Sequence, residues 1–274
     1  MNPDLGGQAP LVDTSSRDEF VDYYAEASLS QATMDRYRNI QDVVLRSLPA
    51  GRAAQHLDVV DIGCGAGTQA VLWAEQGHLV RGIDVSERLI ELARTRAAEK
   101  GLDISYCTGT AAALPWADGS ADVCILPELL EHVPEWEACL AEAARIVRPG
   151  GVLFLTTTNW LCPVQQEFNL PLYSWYPGPL KRHFEKLSKT TRPELANFAT
   201  YPAVNWFSFF QLRAVLMRKG FRCLDKFQTA PSNEAGAKGL VFGLLRKAPP
   251  LRWLAHCATS YTQVLAIKTL SSKS

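Results

Sequence analysis

The sequence predicts an α/β protein: a doubly wound, mainly parallel sheet of seven strands, with an aromatic-rich insertion after the fifth. Three observations carry this. First, Val59-Val60-Asp61-Ile62 runs into the turn Gly63-Cys64-Gly65-Ala66-Gly67-Thr68 and on into Gln69–Glu75, which reads as a helix. Second, short apolar runs then alternate with helix-patterned stretches as far as Thr157, the rhythm of strands and crossover helices. Third, the texture changes after Asn159. Residues 160–210 hold 12 of the chain's 26 aromatics and six of its 16 prolines, a density that works against long regular elements.

Taken in order, residues 1–16 are polar with Gly and Pro and are expected to be mobile. Asp18 to Leu48 reads as one helix, with Phe20, Tyr23, Tyr24, Ile40, Val43 and Val44 at helical spacings, and Pro49-Ala50-Gly51 ends it. The first strand is expected at 57–62 and its helix at 66–76. Gly77 closes that helix, and His78 to Asp84 is the second strand. Ser86 suits an N-cap for a helix from Glu87 to Lys100, stopped by Gly101. Strands follow at 103–107 and 122–126, a helix at 136–147, and the fifth strand at 151–157. After the insertion come a helix at 211–219, a strand at 221–229, a loop at 231–238, an apolar and basic stretch at 240–255 broken by Pro249-Pro250, and a last strand at 262–269. The expected organisation is an N-terminal helical or lid segment (1–50), a nucleotide-binding core (51–159), a cap insertion (160–206) and the C-terminal part of the core sheet (207–274).

Bulk properties exclude several classes. With 28 Lys and Arg against 28 Asp and Glu, the chain is formally neutral. That argues against a nucleic-acid partner, which calls for a basic surplus, and against simple electrostatic docking on anionic lipid. The seven cysteines form no C-x-x-C pair, so a zinc site is not expected. Several sit in apolar runs, as small buried hydrophobes in a reducing compartment do. Residues 1–10 lack the pattern of a signal peptide, and no window has 18 uninterrupted apolar residues. The expected location is cytoplasmic.

The glycine turn is the first chemistry-bearing element. Its glycines permit unusual backbone angles and let a ligand lie against bare backbone, and helix-start N–H groups facing the turn favour an anionic or polar ligand. The dinucleotide form G-x-G-x-x-G, counted from Gly63, would need its third glycine at position 68, which is Thr68. The pattern here is D-x-G-x-G-x-G. On this turn alone, a glycine-rich turn of some other α/β protein remains the alternative. Asp84 ends the second strand 17 residues past Gly67, close to the offset of about 20 at which an acid hydrogen-bonds a ribose diol in such folds; the alternative is a solvated loop acid.

Three further segments follow in order: Gly109-Thr110-Ala111-Ala112-Ala113-Leu114-Pro115-Trp116-Ala117-Asp118, Leu126-Pro127-Glu128-Leu129-Leu130-Glu131-His132-Val133, and Leu140 to Gly151 ending in Arg148-Pro149-Gly150-Gly151. Together with the turn, these resemble the motifs of the class I S-adenosylmethionine (SAM)-dependent methyltransferases, in particular the methyltransferase type 11 group that includes ubiquinone-pathway O-methyltransferases. The resemblance covers residues 57–159 motif by motif and 205–229 more loosely. It implies a Rossmann-like fold, SAM as cofactor, and a cofactor site of Asp61, Gly63, Cys64, Gly65, Asp84, Val85, Thr110, Ala111 and Leu126. In the family an acid contacts the adenine amino group where this chain has Thr110, so that contact loses its charge here.

Methyl transfer is an in-line displacement in which the protein mainly aligns the reacting atoms. A hydroxyl acceptor also has to lose its proton, and His132 is the candidate catalytic base; the alternative is that it only bonds backbone. Glu128, Glu131 and His132 would share one face if helical, and the resemblance associates this triplet with a divalent metal ion, which is not counted in the expected site. The insertion is expected to cover an apolar acceptor with Trp160, Phe168, Tyr173, Trp175, Tyr176 and Trp206; a separate mini-core and a homodimer contact are the alternatives. The expected function is SAM-dependent methylation, on oxygen of a small apolar, aromatic or lipid-linked acceptor. The rivals are N- or C-methylation in natural-product tailoring, a non-catalytic binding module on the same fold, and a nicotinamide dehydrogenase, which Thr68 disfavours.

Overall fold

The computed structural model describes residues 26–49, 51–52, 55–196, 202–231 and 236–270. The expectations for residues 1–25, including Phe20, Tyr23 and Tyr24, lie outside the described residues. The elements, in chain order, are α1 (Gln31–Ser47), β1 (Asp58–Ile62), α2 (Thr68–Ala74), β2 (Leu79–Asp84), α3 (Glu87–Glu99), β3 (Ile104–Thr108), β4 (Ala121–Pro127), α4 (Trp136–Ile146), β5 (Val147–Thr158), α5 (Gly178–Thr190), α6 (Phe209–Arg218), β6 (Phe221–Leu224), α7 (Lys226–Thr229), α8 (Ala237–Lys247), α9 (Pro249–Cys257) and β7 (Tyr261–Lys268).

Seven strands form one sheet in the order β3-β2-β1-β4-β5-β7-β6. The first five are parallel, and β7 runs antiparallel to both β5 and β6. The apolar runs explain the layering. Val60, Ile62, Cys124, Leu126, Leu153 and Leu155 bury into one layer, while the alternate residues Val59, Val123, Ile125, Val152 and Phe154 bury into the other. Parallel strands covered on both faces need this continuous apolar character, and each such side chain fully removed from water contributes about 1.5–3 kcal/mol. Helices α1 and α2 pack on each other, with Ile40, Val43, Val44 and Trp73 in the second layer; Leu140 of α4 and Leu212 and Leu216 of α6 lie in the first. All eleven strand positions lie on β1, β4 and β5, neighbours in the sheet, so the two cores sandwich it.

Side-chain caps start two helices, one at the cap the sequence predicts and the other two residues ahead of the expected start at 211. Ser86 accepts from the Leu89 N–H at the head of α3, and Ser208 accepts from Gln211 N–H at the head of α6. Three boundaries differ from expectation. The first helix is not continuous from 18 to 48: the chain turns at 28–30, and Ser30 caps a new start by accepting from Thr33 N–H. The predicted strand 221–229 stops at Leu224, because buried Asp225 caps a turn of helix by accepting from Phe227 and Gln228 N–H while Gln228 bonds back to Asp225 N–H. The fifth strand begins at Val147 rather than 151, with an irregular register opposite Ala121–Val123.

The amino-terminal edge of the sheet is tied by charge. Buried Asp122 accepts from Asp58 N–H at 3.0 Å, from Arg148 at 3.0 Å and from Arg52. All seven cysteines are free thiols, five of them buried. No helix among the described residues is long and apolar enough to cross a membrane.

Candidate functional site

The carboxyl ends of β1, β2, β4 and β5 converge on one edge of the sheet, the edge at which open α/β sheets take ligands. At the end of β1 the three turn glycines all have positive φ: 73° at Gly63, 50° at Gly65 and 76° at Gly67. Space is as tight as conformation. A methyl group on Gly67 would overlap the Tyr106 hydroxyl and come within 2.8 Å of Ala93 Cβ, and one on Gly63 would meet Leu129 Cδ1 at 2.8 Å. Several turn amides are spent inside the protein. Gly63 and Cys64 N–H donate to Ile83 C=O at 2.8 and 3.0 Å, and Gly65 N–H donates to Asp84 Oδ2 at 2.9 Å. These three turn amides are therefore committed within the protein, a set separate from the N–H groups at the start of α2 that are expected to face a ligand. Their partners splice the turn onto β2, and the side chains of Asp61 and Asp84 supply the polarity there instead.

Asp61 is 1% exposed, and neither carboxylate oxygen has a hydrogen-bond partner. Burial, with the neighbouring Asp84 charge added, pushes its carboxyl up to about 7. A buried carboxylate without a partner is costly, and its natural complement is a cation. Asp84 is differently held: Oδ2 takes Gly65 N–H and Oδ1 takes Ser86 N–H, both at 2.9 Å. Val85 is exposed beside it.

The other expected cofactor residues take separate positions. Cys64 is buried, and burial holds its thiol well above the ordinary range. Thr110 is exposed at the end of the loop after β3, its Oγ1 accepting from Ala112 N–H at 3.2 Å, with Ala111 buried next to it. Leu126 is fully buried and pairs with Leu155, so only its backbone can face a ligand. From α1, Tyr37 lies near Asp61 and Glu128; burial raises its hydroxyl. Arg96 ties Ser28 and Thr68 hydroxyls and the Ala66 carbonyl together at 3.0–3.3 Å, joining the chain before α1 to the glycine turn.

Glu128–His132 is not helical, contrary to expectation. Glu128 leaves β4 with φ 51°, its N–H donating to Thr156 C=O at 2.9 Å. Pairing with β5 thus continues one residue too far for a helix to begin there, and α4 starts only at Trp136. Glu131 turns inward, fully buried. Its Oε2 accepts from Thr157 Oγ1 at 2.7 Å and its Oε1 has no partner. Burial, then the Glu128 charge, hold its carboxyl well above the usual range. His132 is half-buried on the same turn. The insertion adds Glu167, half-buried and raised by burial and by the Glu128 charge. Even so, among the described residues no three His, Cys, Asp or Glu side chains are grouped so as to hold a metal ion. With Glu131 turned away onto Thr157, the triplet does not fit a metal, and no chemistry is routed through one here.

Residues unforeseen from sequence complete this turn. Asn205 Nδ2 donates to Leu130 and Val133 C=O at 3.0 and 2.7 Å, and Val204 and Asn205 N–H both donate to Glu131 C=O. Asn205 lies far along the chain, and no local pattern marks it.

The insertion leaves and returns at paired points: Asn159 bridges Phe207, and Trp160 N–H donates to Phe207 C=O at 2.9 Å. Phe168 and Tyr173 do not wall a pocket. They stack at 4.0 Å inside a mini-core with Leu195 and Ala196, because Gln165 and the short turn at 173–175 fold them inward. Trp160, Trp175, Tyr176 and Trp206, with Ser174 and Lys181, line an open cleft of about 650 Å³, within the size range of small-molecule sites.

Comparison with known proteins agrees with this geometry. A family described as "Methyltransferase domain" matches residues 60–155. The chain is 33% identical over 183 residues to the ubiquinone biosynthesis O-methyltransferase of Brucella anthropi, covering 65% of this chain and 64% of that protein. It is 31% identical over 167 residues to the protein of the same name from Idiomarina loihiensis, covering 58% and 68%. With other relatives of that name the match spans 41–42% of their length. Among solved structures, geranyl diphosphate methyltransferase in complex with SAM superposes with TM-score 0.55 at 18% identity, covering 95% of this chain and 94% of that one, a likeness of fold.

Proposed function

The chain belongs to the class I SAM-dependent methyltransferases, and from that premise we propose that it transfers the methyl group of SAM to an oxygen of a small apolar, aromatic or lipid-linked acceptor. The observation that carries the cofactor part is the pairing of buried, partnerless Asp61 with backbone-held Asp84 on either side of the glycine turn. SAM supplies a methyl on a sulfonium, already a good leaving group. Asp61 offers the carboxylate for its ammonium, Asp84 accepts from the ribose diol, and Gly63 and Gly65 admit it against bare backbone, with Cys64 and Val85 beside them. Thr110 and Ala111 line the adenine side, and the backbone at Leu126 borders the methionine end. These residues orient and desolvate, which is most of what a displacement asks of a protein.

On the acceptor side, His132 is the candidate base that takes the hydroxyl proton, standing on the turn that Asn205 clamps. The 160–206 segment serves as a cap whose cleft receives the acceptor and excludes water. Support for oxygen as the methylated atom comes from the relatives named for O-methylation of ubiquinone precursors.

The test is direct. Calorimetry is expected to show binding of SAM and S-adenosylhomocysteine but not NAD, and Asp84→Ala is expected to weaken that binding by about 1–3 kcal/mol. Methyl-labelled SAM offered with catechols, quinols and amines is expected to label the hydroxyl acceptors. NAD binding without SAM binding ends this reading; labelling of amines alone ends its oxygen part.

A further inference from the structure

The cleft in the 160–206 segment carries one cation among its aromatic walls. Lys181, on α5, lies with Nζ 4.5 Å from the centroid of the Trp206 ring and 5.8 Å from that of Tyr173, and it donates to Ser174 C=O at 2.8 Å. Its two hydrogen-bonding options beyond that carbonyl are left over, since an ammonium has three donors. Among the described residues no carboxylate lines the cleft. The segment 160–206 has five Lys and Arg against three Glu in a chain that is otherwise balanced. Of those three glutamates, Glu167 is raised by burial and by the Glu128 charge, Glu194 pairs with Arg192 at 2.9 Å, and Glu185, one helical turn from Lys181, feels the Lys181 charge without forming an ion pair with it among the described residues.

Burial lowers the Lys181 ammonium to about 8, so the protein holds a charge there that its surroundings do not fully repay. Aromatic faces attract a cation but leave its charge uncancelled. Trp175 is 55% exposed, and its indole N–H donates to Leu161 C=O at 3.3 Å, which fixes the side chain at the cleft. A rigid exposed ring beside a half-buried ammonium is the complement of a flat ligand with one negative charge.

We infer that this cleft selects an aromatic acceptor bearing a carboxylate, with Trp160, Trp175 and Tyr176 against the ring and Lys181 against the anion. This rests on reading the cleft as the acceptor site, and it adds the charge that the acceptor must bring. Lys181 is then a specificity-determining residue. A lysine serving only the mini-core would make no distinction between an acid and its amide.

The test uses the full chain saturated with S-adenosylhomocysteine and compares 2-naphthoate with 2-naphthamide by calorimetry. Naphthoate is expected to bind roughly ten- to a hundredfold tighter, the usual gain from a charge-assisted contact. In Lys181→Met the difference is expected to fall below about twofold, with naphthamide affinity unchanged, whereas Lys181→Arg retains the preference. Equal affinities in the native protein, no naphthoate binding, or a preference that survives Lys181→Met each overturn the inference. Failure of the underlying acceptor-site reading looks different: Trp175→Ala would leave the acceptor KM of labelled methyl transfer unchanged, whatever the two probes do.

Discussion

At the scale of single residues, Asp61 is the position where folding and ligand binding meet. Folding a carboxylate into a site with no donor among the described residues is unfavourable, and the proposed contact with a ligand ammonium would offset that cost. Its carboxyl sits at about 7 in the folded chain, above the ordinary aspartate value of about 4. A ligand ammonium prefers the ionised form, so below pH 7 binding has to expel a proton. SAM affinity is therefore expected to fall up to about tenfold per pH unit from pH 7 to pH 5, and Asp61→Asn is expected to bind weakly and without that slope. Calorimetry at four pH values checks both; a slope that persists in the Asn variant places the titration elsewhere. Asp84 belongs to the opposite type. Two backbone amides already hold its carboxyl group, so its substitution is expected to cost ligand contacts and also to loosen the glycine turn.

At the scale of elements, the turn 128–132 carries the proposed base His132. Its shape comes from the continued pairing of Glu128 with Thr156 and from the Asn205 clamp. Because burial raises the Glu131 carboxyl and Thr157 donates to it, Glu131→Gln is expected to change stability by under about 1 kcal/mol, while Glu131→Ala, which opens a cavity, costs about 2–4 kcal/mol. Equal losses from the two in denaturant unfolding would mean that an ionised carboxylate is needed there. For the reaction itself, His132→Ala is expected to lower turnover by roughly 10²–10⁴ with SAM affinity intact. A chelator is expected to leave turnover unchanged, since no metal-holding group is formed among the described residues. Loss of activity on chelation, restored by a divalent ion, would show that the turn rearranges to bind one.

At the scale of the whole molecule, the two cores on either face of the sheet make the fold and the site one cooperative unit. The carboxyl-edge residues are the continuation of strands whose apolar runs are fully buried. Ligand binding therefore has to appear as global stability. At a hundred times its Kd, S-adenosylhomocysteine is expected to add about 2.7 kcal/mol. Asp61 gives the unliganded protein an opposite pH signature. An acid whose folded pKa is raised binds its proton more tightly when folded, so its contribution is present at low pH and is lost as pH rises from about 4 to about 7. The increment from ligand is thus expected to be larger at pH 7.5 than at pH 5.5. Thermal melts with and without ligand at the two pH values measure it, and an increment that does not change with pH removes Asp61 from the ligand's reach.

What the sequence by itself determined is local or periodic. Strand 59–62, the glycine turn, the Ser86 cap and the offset of Asp84 were legible because strand propensity, positive-φ glycines and side-chain capping act over a few residues. The motif order then led to the family, and Asp61 lies in β1 while Asp84 ends β2 beside the glycine turn. Only the tertiary structure decided the rest, because those features depend on neighbours distant in the chain. Asn205 reaches back across more than 70 residues to Leu130 and Val133. Pairing with β5 kept Glu128–His132 out of a helix, although the spacing alone would suit one. Packing divided the insertion's aromatics, drawing Phe168 and Tyr173 into a core and leaving Trp175 and Lys181 at a cleft. Composition records how many rings a segment has; which of them face solvent is settled by what the rest of the chain places against them.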